Sequence, residues 1–366
     1  MYEKITFVGL GLIGGSIAKT IKKKNPEVKL FATASGEKTV IAAYQDKVIE
    51  NDKLLTPEEI ASSDVIFLCS PVKVNVDYLK LLKPHLKEGT LITDVGSVKG
   101  DIEKAVDEEG LSDRFIGGHP MAGSERTGFE YSTDHLLENV YYILTVNPHI
   151  DSRKVDEFQE FISSLDAIPL TMSPEEHDFA TAAISHLPHV ISASLVNLVR
   201  KTDNEDNVLK TIAAGGFKDI TRISSSSPVM WEHICLTNKD KILELISLYE
   251  DELNEFKERI MAENGEGINS LFREAKDYRD SLPVKKKGII PAAYAINIDV
   301  ADEVGGIAMI ATLLAFNDIS IKNVGIVHNR EFEQGALRIE FYDDESMVKA
   351  EKVLKERNYT IYSRDN

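Results

Sequence analysis

Short apolar runs separated by amphipathic stretches fill the first half of the chain. Ile5-Thr6-Phe7-Val8, Lys29-Leu30-Phe31-Ala32, Val65-Ile66-Phe67-Leu68-Cys69 and Leu91-Ile92-Thr93-Asp94-Val95 read as strands, and segments such as Val76 to Leu86 read as helices between them. Strands with no polar alternation are covered on both faces, so this succession predicts a doubly wound parallel sheet of Rossmann type. After about Pro169 the period becomes helical, over Pro174 to Arg200, Asn207 to Ala214 and Lys239 to Asp277. The last stretch carries Leu243, Ile246, Tyr249, Leu253, Phe256 and Ile260 at helical spacing, which predicts a core or dimer-forming helix. The lysine-rich, proline-containing stretch from Asp280 to Gly288 reads as a solvated hinge. Beyond it, Ala293–Val300, Ile307–Phe316, Ser320–His328, Ala336–Phe341, Glu345–Lys355 and Tyr359–Tyr362 alternate as βαββαβ, the order of a small ferredoxin-like domain. The expected domains are therefore 1–168, 169–282 and 288–366.

A chain of 366 residues supports two or three such domains, with 43% hydrophobic and 28% charged residues as in ordinary globular proteins. The net charge of −18 excludes nucleic acid as a partner and requires any anionic ligand to meet locally concentrated positive charge. Two cysteines, Cys69 and Cys235, make no disulfide framework and no cysteine-type zinc site, so a reducing cytoplasm is expected. No signal-type segment is read at the N-terminus, and no apolar run is expected to span a bilayer.

Gly9-Leu10-Gly11-Leu12-Ile13-Gly14 follows the first strand and opens a helix. Gly9 permits the tight turn, Gly11 admits a pyrophosphate to the backbone, and Gly14 lets helix and strand pack closely. The expected cofactor contacts are Gly9, Gly11, Leu12, Ile13 and Gly14, with Ala34 and Ser35 after the second strand, Ser70 and Pro71 after the third, and Gly96 after the fourth. Ala34 stands where a ribose-binding carboxylate is usual, so NAD and NADP are both admitted, with Lys38 able to approach a 2′-phosphate.

Gly117-Gly118-His119-Pro120-Met121-Ala122-Gly123-Ser124-Glu125 reads as a glycine-flanked loop holding a histidine that can exchange a proton near neutrality. Its glycines are expected to let backbone approach a ligand. Asp94-Val95-Gly96-Ser97-Val98-Lys99 stands at the carboxyl end of the fourth strand, where open α/β sheets bind ligands. His177, His186 and His189 suggest a metal only weakly, because Pro188 intervenes and no carboxylates cluster there, so no metal is expected.

Together with Ser185-His186-Leu187-Pro188-His189 and Gly215-Gly216-Phe217-Lys218-Asp219-Ile220-Thr221-Arg222, these segments closely resemble the prephenate dehydrogenase family over nearly the whole chain. The resemblance implies oxidative decarboxylation of prephenate, a helical dimerisation domain giving a homodimer, and a C-terminal ACT domain. It assigns His119 as the base and Ser97 as the group orienting the imidazole or the hydroxyl. Arg222 would grip a substrate carboxylate, His186, Ser124 and Lys218 would contribute to the same site, and Glu125 would gate it. Trp231 would lie near the entrance to that site. Within the ACT domain, Val304, Gly305, Gly306 and Asn323 would contact an amino-acid effector, with tyrosine expected as the pathway end product. Arogenate dehydrogenase fits the same residues. A β-hydroxy-acid dehydrogenase would instead want a lysine in the helical domain, and a non-catalytic nucleotide and amino-acid sensor would give His119, Ser97 and Arg222 no common purpose.

Overall fold

Val65-Ile66-Phe67-Leu68 is buried at every position, as is Leu91–Asp94, so neither strand has a wet face. The computed structural model describes residues 2–123, 126–282, 294–299, 305–327, 336–357 and 359–362. The first compact unit, residues 1–282, contains strands β1 (Lys4–Val8), β2 (Lys29–Thr33), β3 (Val65–Leu68), β4 (Leu91–Asp94), β5 (Phe115–Pro120), β6 (Tyr141–Val146) and β7 (Ile168–Met172). They form one sheet in the order β2-β1-β3-β4-β5-β6-β7. Successive residues of a strand face opposite sides. Phe7 and Phe67 accordingly join one apolar cluster with Ile17 and Phe158, while Val8, Ile66 and Leu68 join another with Ile102 and Phe115.

The chain reverses its direction of progress across the sheet at β1, with β2 on one side and β3 on the other, so β1 and β3 flank a switch point for ligand binding. The expected parallel sheet is present from β2 through β5 and again between β6 and β7, with one exception: β5 and β6 pair antiparallel. Among the described residues of their connection, a short 3-10 turn, Phe129–Tyr131, stands in place of the crossover helix that a parallel return requires.

The expected loop around His119 also needs correction, because Gly117, Gly118, His119 and Pro120 are paired residues of β5. Turn-forming residue types hid this strand. Its glycines serve packing rather than ligand approach. A Cβ at Gly118 would lie 2.5 Å from the Asp94 carbonyl oxygen, and one at Gly117 would collide with the Thr145 hydroxyl. β7 runs across the 168/169 boundary, so the sheet extends to Met172. Its Pro169 is tolerated because β7 is an edge strand.

The helical part begins with Pro174–Thr181, continues through a π-helical turn at Ala182–His186, and proceeds as Leu187–Thr202. Pro188 supplies the reason: its ring crowds the carbonyl four residues back and favours a wider turn there. By length and composition alone, the continuous helix Pro174–Thr202 is long and apolar enough to cross a membrane, contrary to the expectation above. It buries the polar side chains of His177, Asp178 and His186, while most of its apolar positions are half-buried or exposed in the single chain. Two long helices, Lys239–Met261 and Gly265–Ser281, complete this part.

The second compact unit, residues 283–366, contains β8 (Tyr294–Asp299), a helix Gly306–Phe316, β9 (Ile321–Val327), β10 (Ala336–Phe341), a helix Asp344–Lys355 and β11 (Ile361–Tyr362). Its antiparallel sheet has the order β11-β8-β10-β9, around a core that includes Ile296, Ile310, Leu337 and Leu354. The βαββαβ order expected from the sequence is present among the described residues.

Candidate active site

The glycine turn sits between β1 and the helix Leu12–Lys24. Gly9 adopts φ +94°, a conformation that side chains disfavour, and a Cβ there would meet the Ser70 hydroxyl at 2.5 Å. A Cβ at Gly14 would lie 2.7 Å from the Gly9 carbonyl oxygen, so this glycine sets the close approach of helix to strand. Gly11 differs, since a Cβ there would meet nothing within 4 Å. It caps a helix whose first turn has no side-chain cap, leaving backbone N–H groups at Leu12 and Ile13 for an anion. These features fit a dinucleotide pyrophosphate. Ser70 donates to the Val8 carbonyl at 3.2 Å, which holds the ends of β1 and β3 together, and Pro71 caps the next helix. Ala34 and Ser35 follow the end of β2.

Behind this edge, Lys99 is completely buried. Its ammonium donates to both Asp94 oxygens at 2.7 and 2.6 Å and to the Gly118 carbonyl at 2.7 Å. Asp94 also accepts from the backbone N–H groups of Gly118 and Gly96, at 3.0 and 2.9 Å. A buried charge is tolerated only when paired and fully hydrogen-bonded, and this pair clamps the end of β4 to the residue before His119. Burial, followed by the Lys99 ammonium, holds the His119 imidazole well below its ordinary value, so it is neutral near pH 7. A neutral imidazole in a site of this kind can accept a proton.

The helix Pro174–Thr181 brings a second histidine to the first. His119 Nδ1 lies 2.9 Å from His177 Nε2, and His177 Nδ1 lies 2.8 Å from Asp178 Oδ1. Asp178 also accepts from the backbone N–H groups of Lys99 and Gly100, at 2.8 Å each, which ties the helical part to the sheet. At the end of the π-helical turn, His186 is buried with Nδ1 3.1 Å from Asn238 Nδ2. Burial lowers its pKa to about 4. His189 stacks on Trp231 with ring centroids 3.8 Å apart, and the buried Trp231 Nε1 has no hydrogen-bond partner among the described residues. Arg222 and Lys218 are exposed, with Lys218 on the helix Gly215–Thr221 and Arg222 immediately after it. Ser192 anchors this segment to the histidine-bearing helix through Ile220 and Ser224, at 3.2 and 2.6 Å.

The structure thus brings half-buried His119 and buried His186 close enough that His186 is among the groups acting on the His119 imidazole. Among the described residues no hydrogen bond joins Ser97 to His119, whose Nδ1 faces His177. Ser124, Glu125 and Val304 lie outside the described residues. In the second unit, Gly305 takes φ +93° before the helix Gly306–Phe316, and Asn323 is an exposed residue of β9. Sequence reasoning did not assign roles to Asp94, Lys99, His177, Asp178 or Asn238. Only the Asp94-to-Lys99 segment carried a local signal, at the end of a strand. No group of three or more metal-ligating side chains occurs among the described residues.

Residues 17–168 match the nucleotide-binding domain of prephenate dehydrogenases, and residues 173–274 match their dimerization domain. A prephenate dehydrogenase of Bacillus subtilis is 39% identical over 362 residues, covering 98% of this chain and 97% of its own. The crystal structure of a prephenate dehydrogenase from A. aeolicus, in complex with hydroxyphenyl propionate and NAD+, superposes with a TM-score of 0.71. It is 32% identical and covers 76% of this chain and 98% of its own. An arogenate dehydrogenase structure from Synechocystis gives a TM-score of 0.70 at 27% identity, covering 76% of this chain and 99% of its own.

Proposed function

The chain belongs to the prephenate dehydrogenase family, and from that premise we propose that it oxidises prephenate, with loss of carbon dioxide, to 4-hydroxyphenylpyruvate. When bound at the glycine turn, a nicotinamide cofactor supplies the acceptor for a hydride from the carbon bearing the ring hydroxyl. His119 takes the hydroxyl proton as the carbonyl develops. Once the ring carboxylate has left, His119 returns that proton to the phenolic oxygen, so the cycle needs no net proton. The observation that carries this reading is the neutral, half-buried imidazole of His119, held 2.9 Å from His177 and beside the Asp94–Lys99 clamp at the ligand edge of the sheet. Arg222, with Lys218 one helical turn before it, supplies the cationic contact for a substrate carboxylate in a chain of net charge −18.

Arogenate is the second reading, favoured by the likeness to the Synechocystis enzyme. Ala34 leaves NAD and NADP both open. The helical part exposes Ile184, Leu198, Ile212, Ile220 and Leu236, each more than half accessible in one chain, and burial against a second copy would give a homodimer. Its two cysteines are free thiols, consistent with a cytoplasmic enzyme. The βαββαβ unit is read as an ACT domain binding tyrosine around Gly305, Gly306 and Asn323.

Absorbance of the reduced cofactor, followed for NAD and NADP with prephenate and with arogenate, tests the assignment. Reduction with prephenate is expected, and no reduction in any of the four mixtures would overturn it.

A further inference from the structure

We propose that His177 is a positioning residue that determines which nitrogen of His119 carries hydrogen, and that Asp178 determines the state of His177 in turn. The inference rests on the reading above only for the destination of the substrate proton.

An ionised carboxylate offers lone pairs and no hydrogen. At 2.8 Å from Asp178 Oδ1, His177 Nδ1 must therefore donate. A neutral imidazole has one N–H, so His177 Nε2 is left as an acceptor. The atom facing it at 2.9 Å is His119 Nδ1, which must then hold the hydrogen. His119 Nε2 keeps its lone pair, the form required of a proton acceptor. His177 is fully buried, so water does not compete for these contacts. Asp178 cannot easily turn away, because the N–H groups of Lys99 and Gly100 hold both its oxygens.

The same residue governs the second imidazole through its backbone. Asn238 Nδ2 donates to the Asp178 carbonyl at 2.8 Å, which fixes the orientation of the amide. Its other hydrogen points to His186 Nδ1 at 3.1 Å, making that nitrogen an acceptor and leaving N–H on Nε2. His119 and His186 are thus held in opposite forms, one ready to accept a proton and one ready to donate a hydrogen bond. During turnover a proton arriving on His119 leaves its Nδ1–H bond to His177 intact, and the positive charge faces Asp178 through one imidazole.

A doubly protonated His177 would reverse the polarity, donating to His119 Nδ1 and leaving hydrogen on Nε2. Nitrogen NMR of the NAD-bound enzyme labelled with ¹⁵N-histidine separates the two, with the His119 signals identified by their loss in His119→Asn. Hydrogen on Nδ1 and a bare Nε2 are expected; the opposite pattern overturns the proposal. This readout needs no substrate, so it stands even if prephenate is not turned over.

Kinetics of two variants form the second arm. In His177→Gln the amide reaches the former Nε2 position and can accept from His119, whereas in His177→Asn it ends near Nδ1 and cannot. His177→Asn is expected to lose about 10²–10⁴-fold in kcat, the range a positioned base contributes, with the prephenate KM within about threefold. His177→Gln should remain within about tenfold of the parent in kcat. Equal kcat in the two variants, or a loss confined to KM, would overturn the proposal. If His177→Asn fails to fold, the nitrogen spectrum decides.

Discussion

Replacing Glu103 with glutamine should stabilise the protein at pH 8 and have little effect at pH 5. Glu103 lies on the helix Gly100–Glu108 and is buried against the sheet, where its Oε1 accepts from the hydroxyl of Thr145 on β6 at 3.0 Å. Its other oxygen is buried without a partner. Burial is the main cause that raises its pKa from 4.5 to about 7; the Asp94 carboxylate adds to it, while the Thr145 bond and Lys99 oppose it. A folded-state value above the unfolded one means that the native state holds the proton more tightly. The associated stability is fully present below pH 4.5 and is lost as pH rises through about 7. The interval between 4.5 and about 7, at about 1.36 kcal/mol per pH unit, sets a ceiling of about 3 kcal/mol. Solvent screening and local relaxation reduce this to about 1–2 kcal/mol. Glutamine mimics the protonated acid, can still accept from Thr145, and cannot ionise. Its melting temperature should therefore exceed that of the parent at pH 8 by about 2–6 °C, with the gap closing towards pH 5. Calorimetry of both proteins across this range is the assay. A gap independent of pH, or a variant less stable at pH 8, would refute the reasoning.

His119→Asn should lower kcat about 10²–10⁴-fold with little change in KM; near-normal turnover in steady-state assays would remove His119 as the base. Because burial holds this imidazole well below 6.5, the acidic limb of the parent's kcat/KM profile should fall below that pH, and a midpoint at or above it would contradict the buried neutral form. Arg222→Gln should raise the prephenate KM and lower kcat/KM about 10–100-fold, the worth of a charge-assisted hydrogen bond; unchanged constants would refute the carboxylate role. Deleting the residues after Leu282 should preserve turnover and abolish inhibition by tyrosine, and inhibition that survived truncation would place the effector site in the first unit.

Local interactions made much of this protein legible from its residues alone. The glycine turn is one case, because the positive φ of Gly9 and the tight contact at Gly14 are demands that neighbouring backbone imposes on a single residue type. Strands β1 to β4 and the βαββαβ order of the second unit were readable because periodicity and apolar runs record burial directly. β5 was not, since Gly117, Gly118 and Pro120 imitate a turn, and only the fit of those glycines against Asp94 and Thr145 explains them. The chemistry of His119 depended still more on tertiary structure. Its hydrogen-bond partner lies 58 residues away, and the backbone N–H of Lys99 meets Asp178 across 79. No local pattern encodes which buried polar groups will face one another over such separations. A histidine's presence is written in the sequence, but its charge and tautomer are set by the groups that folding places within 3 Å of its ring nitrogens.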